Sequence, residues 1–148
     1  LEVMMLQTNK KDNKKIEYIA LYCRVATPNR EASQLAIEGQ KKLLTEWALK
    51  QGFSQEQIVY LIDIGFSGLT LDRPGIQEFL SGKRNYIAVA AVDFSRFCRD
   101  IVLADDLIGY ADIQGTTLYA VNEKLNLNRW KRRRNQRWHA LLKGGAEE

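Results

Sequence analysis

The sequence predicts an α/β fold in three layers: a mostly parallel sheet of about four strands, helices on both faces, and a basic helix at the C-terminal end. Three observations carry this expectation. Short apolar runs rich in β-formers alternate with longer segments whose apolar residues recur at helical spacing. An apolar fraction of 45% with two prolines in 148 residues suits one domain with one buried core. Basic residues gather at one end of the chain instead of being spread along it.

Each element follows from its residues. Residues 16–25 (IEYIALYCRV) form a mostly apolar, β-rich run that reads as a first strand buried on both faces. Residues 31–51 carry Leu35, Ile37, Leu43, Leu44, Trp47 and Ala48 at near-helical spacing and end before Gly52, which suits a helix C-terminus. Residues 57–64 (QIVYLIDI) read as the second strand, and the stretch from Gly65 to Gly75 as a loop. Pro74 fits the first turn of a short helix running to Leu80. Residues 86–92 (YIAVAAV) read as the third strand, 101–113 as a helix and 116–121 (TTLYAV) as the fourth strand. The expected organisation is a flexible polar segment over 1–15, a core domain over 16–124 and a basic helical tail over 125–148.

Composition narrows the function classes. Cys23 and Cys98 lack the spacing of a disulfide framework and have no neighbouring histidine, so neither a disulfide scaffold nor a metal site is expected. A reducing cytoplasm is the simplest setting. No apolar run is long enough to span a bilayer, and the start of the chain lacks the apolar stretch of a signal peptide. Residues 1–128 hold 15 basic and 16 acidic side chains, whereas 129–148 hold seven basic and two acidic. Arg129, Lys131, Arg132, Arg133, Arg134 and Arg137, interleaved with Trp130 and Trp138, form a mixture suited to nucleic-acid phosphates and bases. The plainer alternative is a solvated helix that keeps the chain soluble.

In parallel α/β sheets ligands collect beyond the carboxyl ends of the strands. Arg24 and Ala26 close the first strand, Ser67 and Arg73 follow the second, and Arg96 and Arg99 follow the third. Four guanidiniums drawn towards one pocket call for an anion, and a phosphate matches their planar forks. Arg96 and Arg99, three apart, are expected to share the face of a helical turn. The alternative is that Asp63, Asp72, Asp93 and Asp100 pair with these arginines as surface salt bridges.

The order of the motifs separates the two. Tyr22-Cys23-Arg24-Val25, Ile37-Glu38-Gly39-Gln40, Asp63-Ile64-Gly65-Phe66-Ser67-Gly68, Asp72-Arg73-Pro74-Gly75 and Ser95-Arg96-Phe97-Cys98-Arg99-Asp100 follow one another along the chain. Over residues 16–123 this series resembles the catalytic domain of the serine recombinases, the resolvase/invertase family. The Ser-Arg-Phe form is most similar to the large serine recombinases of conjugative transposons.

The resemblance implies a resolvase-like fold and phosphoryl transfer to DNA without metal or other cofactor. It implies a serine that attacks phosphorus to leave a 5′-phosphoserine link, with rotation inside a tetramer before religation. Arg24, Arg96 and Arg99 match the family's phosphate-binding arginines, and Arg73 matches its loop arginine. Gln40, Ser67 and Asp63 match polar supporting positions. Asp93 lies two residues before the place where many relatives carry an acid, which here is Ser95.

The nucleophile position is Ala26, and a methyl group cannot attack phosphorus. Cys23 is expected on the strand face opposite Arg24, and Thr27 is a poor substitute one residue beyond. Ala36 also stands where relatives commonly carry serine. The expectation is therefore a catalytic-domain homologue that binds DNA phosphates without cutting, as a homo-oligomer or paired with an active recombinase, and with no membrane contact. An active recombinase, with Ala26 introduced or Thr27 acting as nucleophile, and a non-catalytic regulator of recombinase oligomers remain alternatives. Relatives usually continue into a long dimerisation helix and a separate DNA-binding domain. The segment 129–143 reads as a shortened version of that helix, with Trp130, Trp138, Leu141 and Leu142 on its apolar side, or else the chain is a fragment.

Overall fold

The computed structural model describes residues 16–147, with Trp138 and 142–147 described by backbone alone; the expected polar segment 1–15 lies outside these residues. The elements run β1 (Tyr18–Val25), α1 (Arg30–Lys50), β2 (Ile58–Ile64), α2 (Pro74–Leu80), β3 (Tyr86–Ala91), α3 (Phe94–Phe97), α4 (Ile101–Gln114), β4 (Thr117–Ala120), β5 (Leu125–Asn126) and α5 (Leu127–Glu147). A single 3-10 turn, Gln55–Gln57, precedes β2. The sheet order is β2-β1-β3-β4-β5. Every pairing is parallel except β4 with β5, where Tyr119 faces Asn126 and Ala120 faces Leu125. That fifth strand exceeds the four expected, because two residues carry no alternation to read.

The first strand is buried on both faces, as its unbroken apolar run requires. Ile19, Leu21, Cys23 and Val25 point to one side, where Ile37, Leu44 and Ala48 of α1 cover them. Ala20 and Tyr22 point to the other side, against Ile76 and Phe79 of α2 and Ala104, Leu107, Ile108 and Ala111 of α4. Small residues in β3, Ala88 and Ala90 towards α1 and Ala91 on the far side, let both helical layers approach closely.

Local signals fix the helix ends. The Asn29 side chain accepts a hydrogen bond from the Ala32 amide at 3.2 Å, and Gly52 follows α1 with a left-handed φ of 101°. Helix α4 starts at Asp100, whose carboxylate accepts from the Val102 amide at 2.8 Å. Helix α2 is capped from another element. Its preceding residue, Arg73, makes no side-chain cap, and Asp63 of β2 instead accepts from Gly75 N at 2.7 Å and Ile76 N at 3.4 Å.

Two glycines separate packing from helix propensity. A Cβ on Gly75 would lie 2.9 Å from Asp63 Oδ2, whereas one on Gly39, exposed in α1, meets nothing within 4 Å. Gly75→Ala is therefore expected to lower stability by about 1–3 kcal/mol in urea denaturation. Gly39→Ala should raise it by up to about 1 kcal/mol, since only helix propensity changes there.

Candidate functional site

The marked residues meet around a four-residue helix. Helix α3 sits just past the carboxyl end of β3 and is held at both ends. At its start Asp93 accepts from the Arg96 amide at 3.2 Å and from the Ser95 hydroxyl at 2.5 Å, while Glu123 accepts from the Phe94 amide at 2.5 Å. Two arginines grip its last carbonyls. Arg24 donates through Nε to Arg96 O at 2.9 Å, through Nη2 to Ser95 O at 2.6 Å and through Nη1 to Phe66 O at 2.9 Å. Arg73 donates to Thr70 O at 2.7 Å, to Arg96 O at 3.3 Å and to Phe97 O. Carboxylates at the amino end and guanidiniums at the carboxyl end match the direction of the helix dipole.

Arg24 and Arg73 are both fully buried, with 0% of their surface exposed, so they lie beneath the site instead of lining it. Burial and then the neighbouring Arg73 lower the pKa of Arg24 from its ordinary value. Asp63, also buried, accepts from the Tyr22 hydroxyl at 2.7 Å, and that hydroxyl accepts from Arg73 Nη1 at 2.8 Å. Gln40 does a strand's work. The β1–β3 pairing stops at Tyr22 and Ala91, and the Gln40 amide then bonds both Arg24 N and Arg24 O, each at 3.1 Å.

Solvent reaches a smaller set. Arg96 is half-buried; its Nη1 donates to Arg24 O at 3.0 Å, and its Nε lies 3.9 Å from Asp93 Oδ2. Arg99 is exposed, with its amide bonded to Gly68 O at 2.9 Å. Because α3 ends at Phe97, Arg99 falls outside it, and the two arginines do not share a helical face. A Cβ on Gly68 would come within 2.9 Å of the Arg99 side chain and 3.0 Å of Arg24 Nη2, so glycine is needed where the 65–68 loop crosses them. Ser67 is exposed, and its hydroxyl accepts from Leu69 N at 3.0 Å. The proposed carboxylate pairings are mostly absent among the described residues: only Asp93 pairs with one of these arginines, while Asp63 and Asp100 cap helices.

Ala26 is exposed immediately after β1, two residues beyond Arg24. The Thr27 hydroxyl accepts from Asn29 N at 3.3 Å and its carbonyl accepts from Ser33 at 2.7 Å, so Thr27 belongs to the start of α1. Cys23 packs in the α1 layer, and burial pushes its thiol up to about 12. Tyr22, Phe97 and Glu123 were not among the expected site residues. Tyr22 precedes Arg24 by one strand repeat and so shares its face, a signal the motif already contained.

The basic tail divides in two. Arg134 clasps Asp105 of α4 at 2.7 and 2.8 Å and lies 5.0 Å over the Trp130 ring, Lys131 donates to Asp105 O at 2.8 Å, and Arg132 sits 3.7 Å from Asp112. These three hold α5 to α4. Arg129, Arg133 and Arg137, on successive turns, are exposed and have no salt bridge among the described residues. With Lys124, Trp130 and the docked Arg134 they line a groove of about 360 Å³. Leu141 is exposed, and the side chains of Trp138 and Leu142 lie outside the described residues. A larger cavity of about 610 Å³ opens at the other end of the sheet, beside Tyr18, Arg84 and Thr116.

Comparison with known proteins agrees with the fold. A family model described as "Resolvase, N terminal domain" matches residues 19–145. The chain belongs to the resolvase family of serine recombinases. Its fold is similar to the N-terminal catalytic domain of TP901-1 integrase, with a TM-score of 0.62 and 23% identity over 74% of this chain and 80% of that one. A resolvase family site-specific recombinase from Streptococcus pneumoniae matches with a TM-score of 0.61 and 21% identity, over 89% of this chain and 96% of that one. The C-terminal catalytic domain of ISC1926 TnpA, an IS607-like serine recombinase, matches with a TM-score of 0.54 and 23% identity, over 70% and 68%. No match is found among curated proteins. This recombinase catalytic domain has no helix among its described residues that is long and apolar enough to cross a membrane.

The two classes of arginine respond differently to truncation. Arg73→Met removes the donor to Phe97 O and the Tyr22 hydroxyl in the interior and to Thr70 O and Arg96 O at its edge, and is expected to cost on the order of 3 kcal/mol in denaturant unfolding. Arg99→Met should stay within about 0.5 kcal/mol of the parent.

Proposed function

We propose that this recombinase domain binds the phosphate backbone of duplex DNA and does not form a covalent link to it. Ala26 carries the reading. It is exposed at the carboxyl end of β1, beside the gripped turn, and it offers only a methyl group where a nucleophile is needed. Neither neighbour in the chain replaces it. The Thr27 hydroxyl is turned into the α1 cap, and the Cys23 sulfur is buried in the opposite layer with its proton held firmly. Removing a covalent nucleophile costs on the order of a millionfold in rate where it has been measured.

Phosphate contact falls to the arginines that solvent can reach. Arg96 and Arg99 would meet the backbone at the site, with Arg24, Arg73, Gln40, Asp63 and Asp93 shaping the surface beneath them. Along α5, Arg129, Arg133 and Arg137 are exposed on a common face and unpaired among the described residues, so they suit a backbone track without sequence preference. Lys131, Arg132 and Arg134 are engaged with α4 and contribute less. Assembly with itself or with an active relative belongs to the same reading, and it is supported by Leu69, Ile101 and Val102, each more than half exposed.

The test is retention of labelled duplex between 50 and 200 mM salt, followed by a denaturing gel. Salt-dependent retention with no protein-linked DNA is expected, and Ala26→Ser is the variant in which a linked product could form. Replacing Arg129, Arg133 and Arg137 together by alanine should reduce the slope of log K against log salt by about 2.7, from about 0.9 per phosphate contact. A covalent adduct with the unaltered chain, or retention indifferent to salt, overturns the proposal.

A further inference from the structure

We propose that Tyr22 is a positioning residue for the phosphate site: by its hydroxyl and its ring it sets the 94–98 turn that carries Arg96 and presents Arg99. The inference rests on the DNA-binding reading above and assigns a role to a residue that touches no ligand. Tyr22 is fully buried and makes three directional contacts. Its hydroxyl donates to Asp63 Oδ2 at 2.7 Å and accepts from Arg73 Nη1 at 2.8 Å. Its ring stacks on Phe97, with centroids 5.9 Å apart and planes 6° from parallel.

These contacts join two loops that the chain keeps far apart. Asp63 holds the first amides of α2, directly after the 72–75 loop, and Arg73 holds the carbonyls of Arg96 and Phe97. Tyr22 closes the path between them and presses on Phe97 from below. A phenol is suited to this because it is both donor and acceptor, and burial followed by the Asp63 hydrogen bond raises its pKa, so the donating proton stays in place. Phenylalanine keeps the ring and loses the link. Arg73 is then anchored by carbonyls and the Cys98 sulfur at 4.0 Å, and Asp63 loses one of its donors.

The test compares four forms of the full chain for duplex retention across salt: the parent, Tyr22→Phe, the Arg96→Ala/Arg99→Ala double variant, and the triple combination. All are first checked for an intact far-UV spectrum at the assay temperature. Tyr22→Phe is expected to lower the salt slope by about 1 to 2, the loss of one or two phosphate contacts, and to add nothing in the triple variant. A purely structural part would weaken the double variant as much as the parent, and that outcome overturns the inference, as does an unchanged slope in Tyr22→Phe. If Tyr22→Phe does not fold, Phe97→Leu removes the stack from the other side and must give the same slope loss. Should the double variant match the parent, the phosphate reading of Arg96 and Arg99 falls along with this one. A slope lost in the double variant but kept in Tyr22→Phe removes only the role of Tyr22.

Discussion

Two buried guanidiniums gripping the end of a four-residue helix are the constraint on which the rest of the site depends. Arg24 and Arg73 both donate to the carbonyl of Arg96, so two like charges converge on one acceptor in the interior. No carboxylate among the described residues pairs directly with either; Asp63 reaches Arg73 only through the Tyr22 hydroxyl. Backbone carbonyls satisfy hydrogen bonds but do not cancel charge. The pair therefore leaves a positive potential behind the turn, and Arg96 and Arg99 add to it at the surface. On the proposed reading, an anion at the mouth would offset this charge, and a phosphate diester has the shape that guanidiniums match.

The same economy separates the cations of α5. A helix that docks on the domain and, on the proposed reading, also meets an extended polyanion has to divide its charges by face. Lys131 and Arg134 converge on Asp105, and Trp130 fills the space between Arg134 and Phe94, so one face is committed to docking. Arg129, Arg133 and Arg137 are exposed and make no salt bridge among the described residues. Charge counting over the tail cannot make this division, because it depends on which acids α4 presents across the contact.

Strands and long helices were legible because each spans several repeats of its own period. Tyr18–Val25 and Arg30–Lys50 are of that kind, and their limits fall within two residues of those read from the sequence. Phe94–Phe97 is not, since four residues cover barely one helical turn, and expecting a longer turn there wrongly put Arg96 and Arg99 on one face. The depth of Arg24 was legible in principle. An arginine inside a strand buried on both faces must itself be enclosed, but the resemblance to phosphate-binding arginines directed attention outwards. Arg73 carried no such sign, because nothing in a loop motif says that its arginine folds back under a neighbouring turn.

Ala26 bears on how these parts are coupled. The grip on α3 uses Arg24 two residues before it, and the start of α1 uses Thr27 one residue after it, so the backbone at 26 is fixed from both sides by groups other than its own side chain. A nucleophile at that position would be positioned by its neighbours while contributing nothing to the positioning. Its loss can then abolish covalent chemistry without loosening the turn, the buried arginines or the exposed ones. On the proposed reading, binding and cutting are separable for that physical reason: the turn that carries Arg96 is held by residues 22, 24, 63 and 73, none of which needs the hydroxyl that Ala26 lacks.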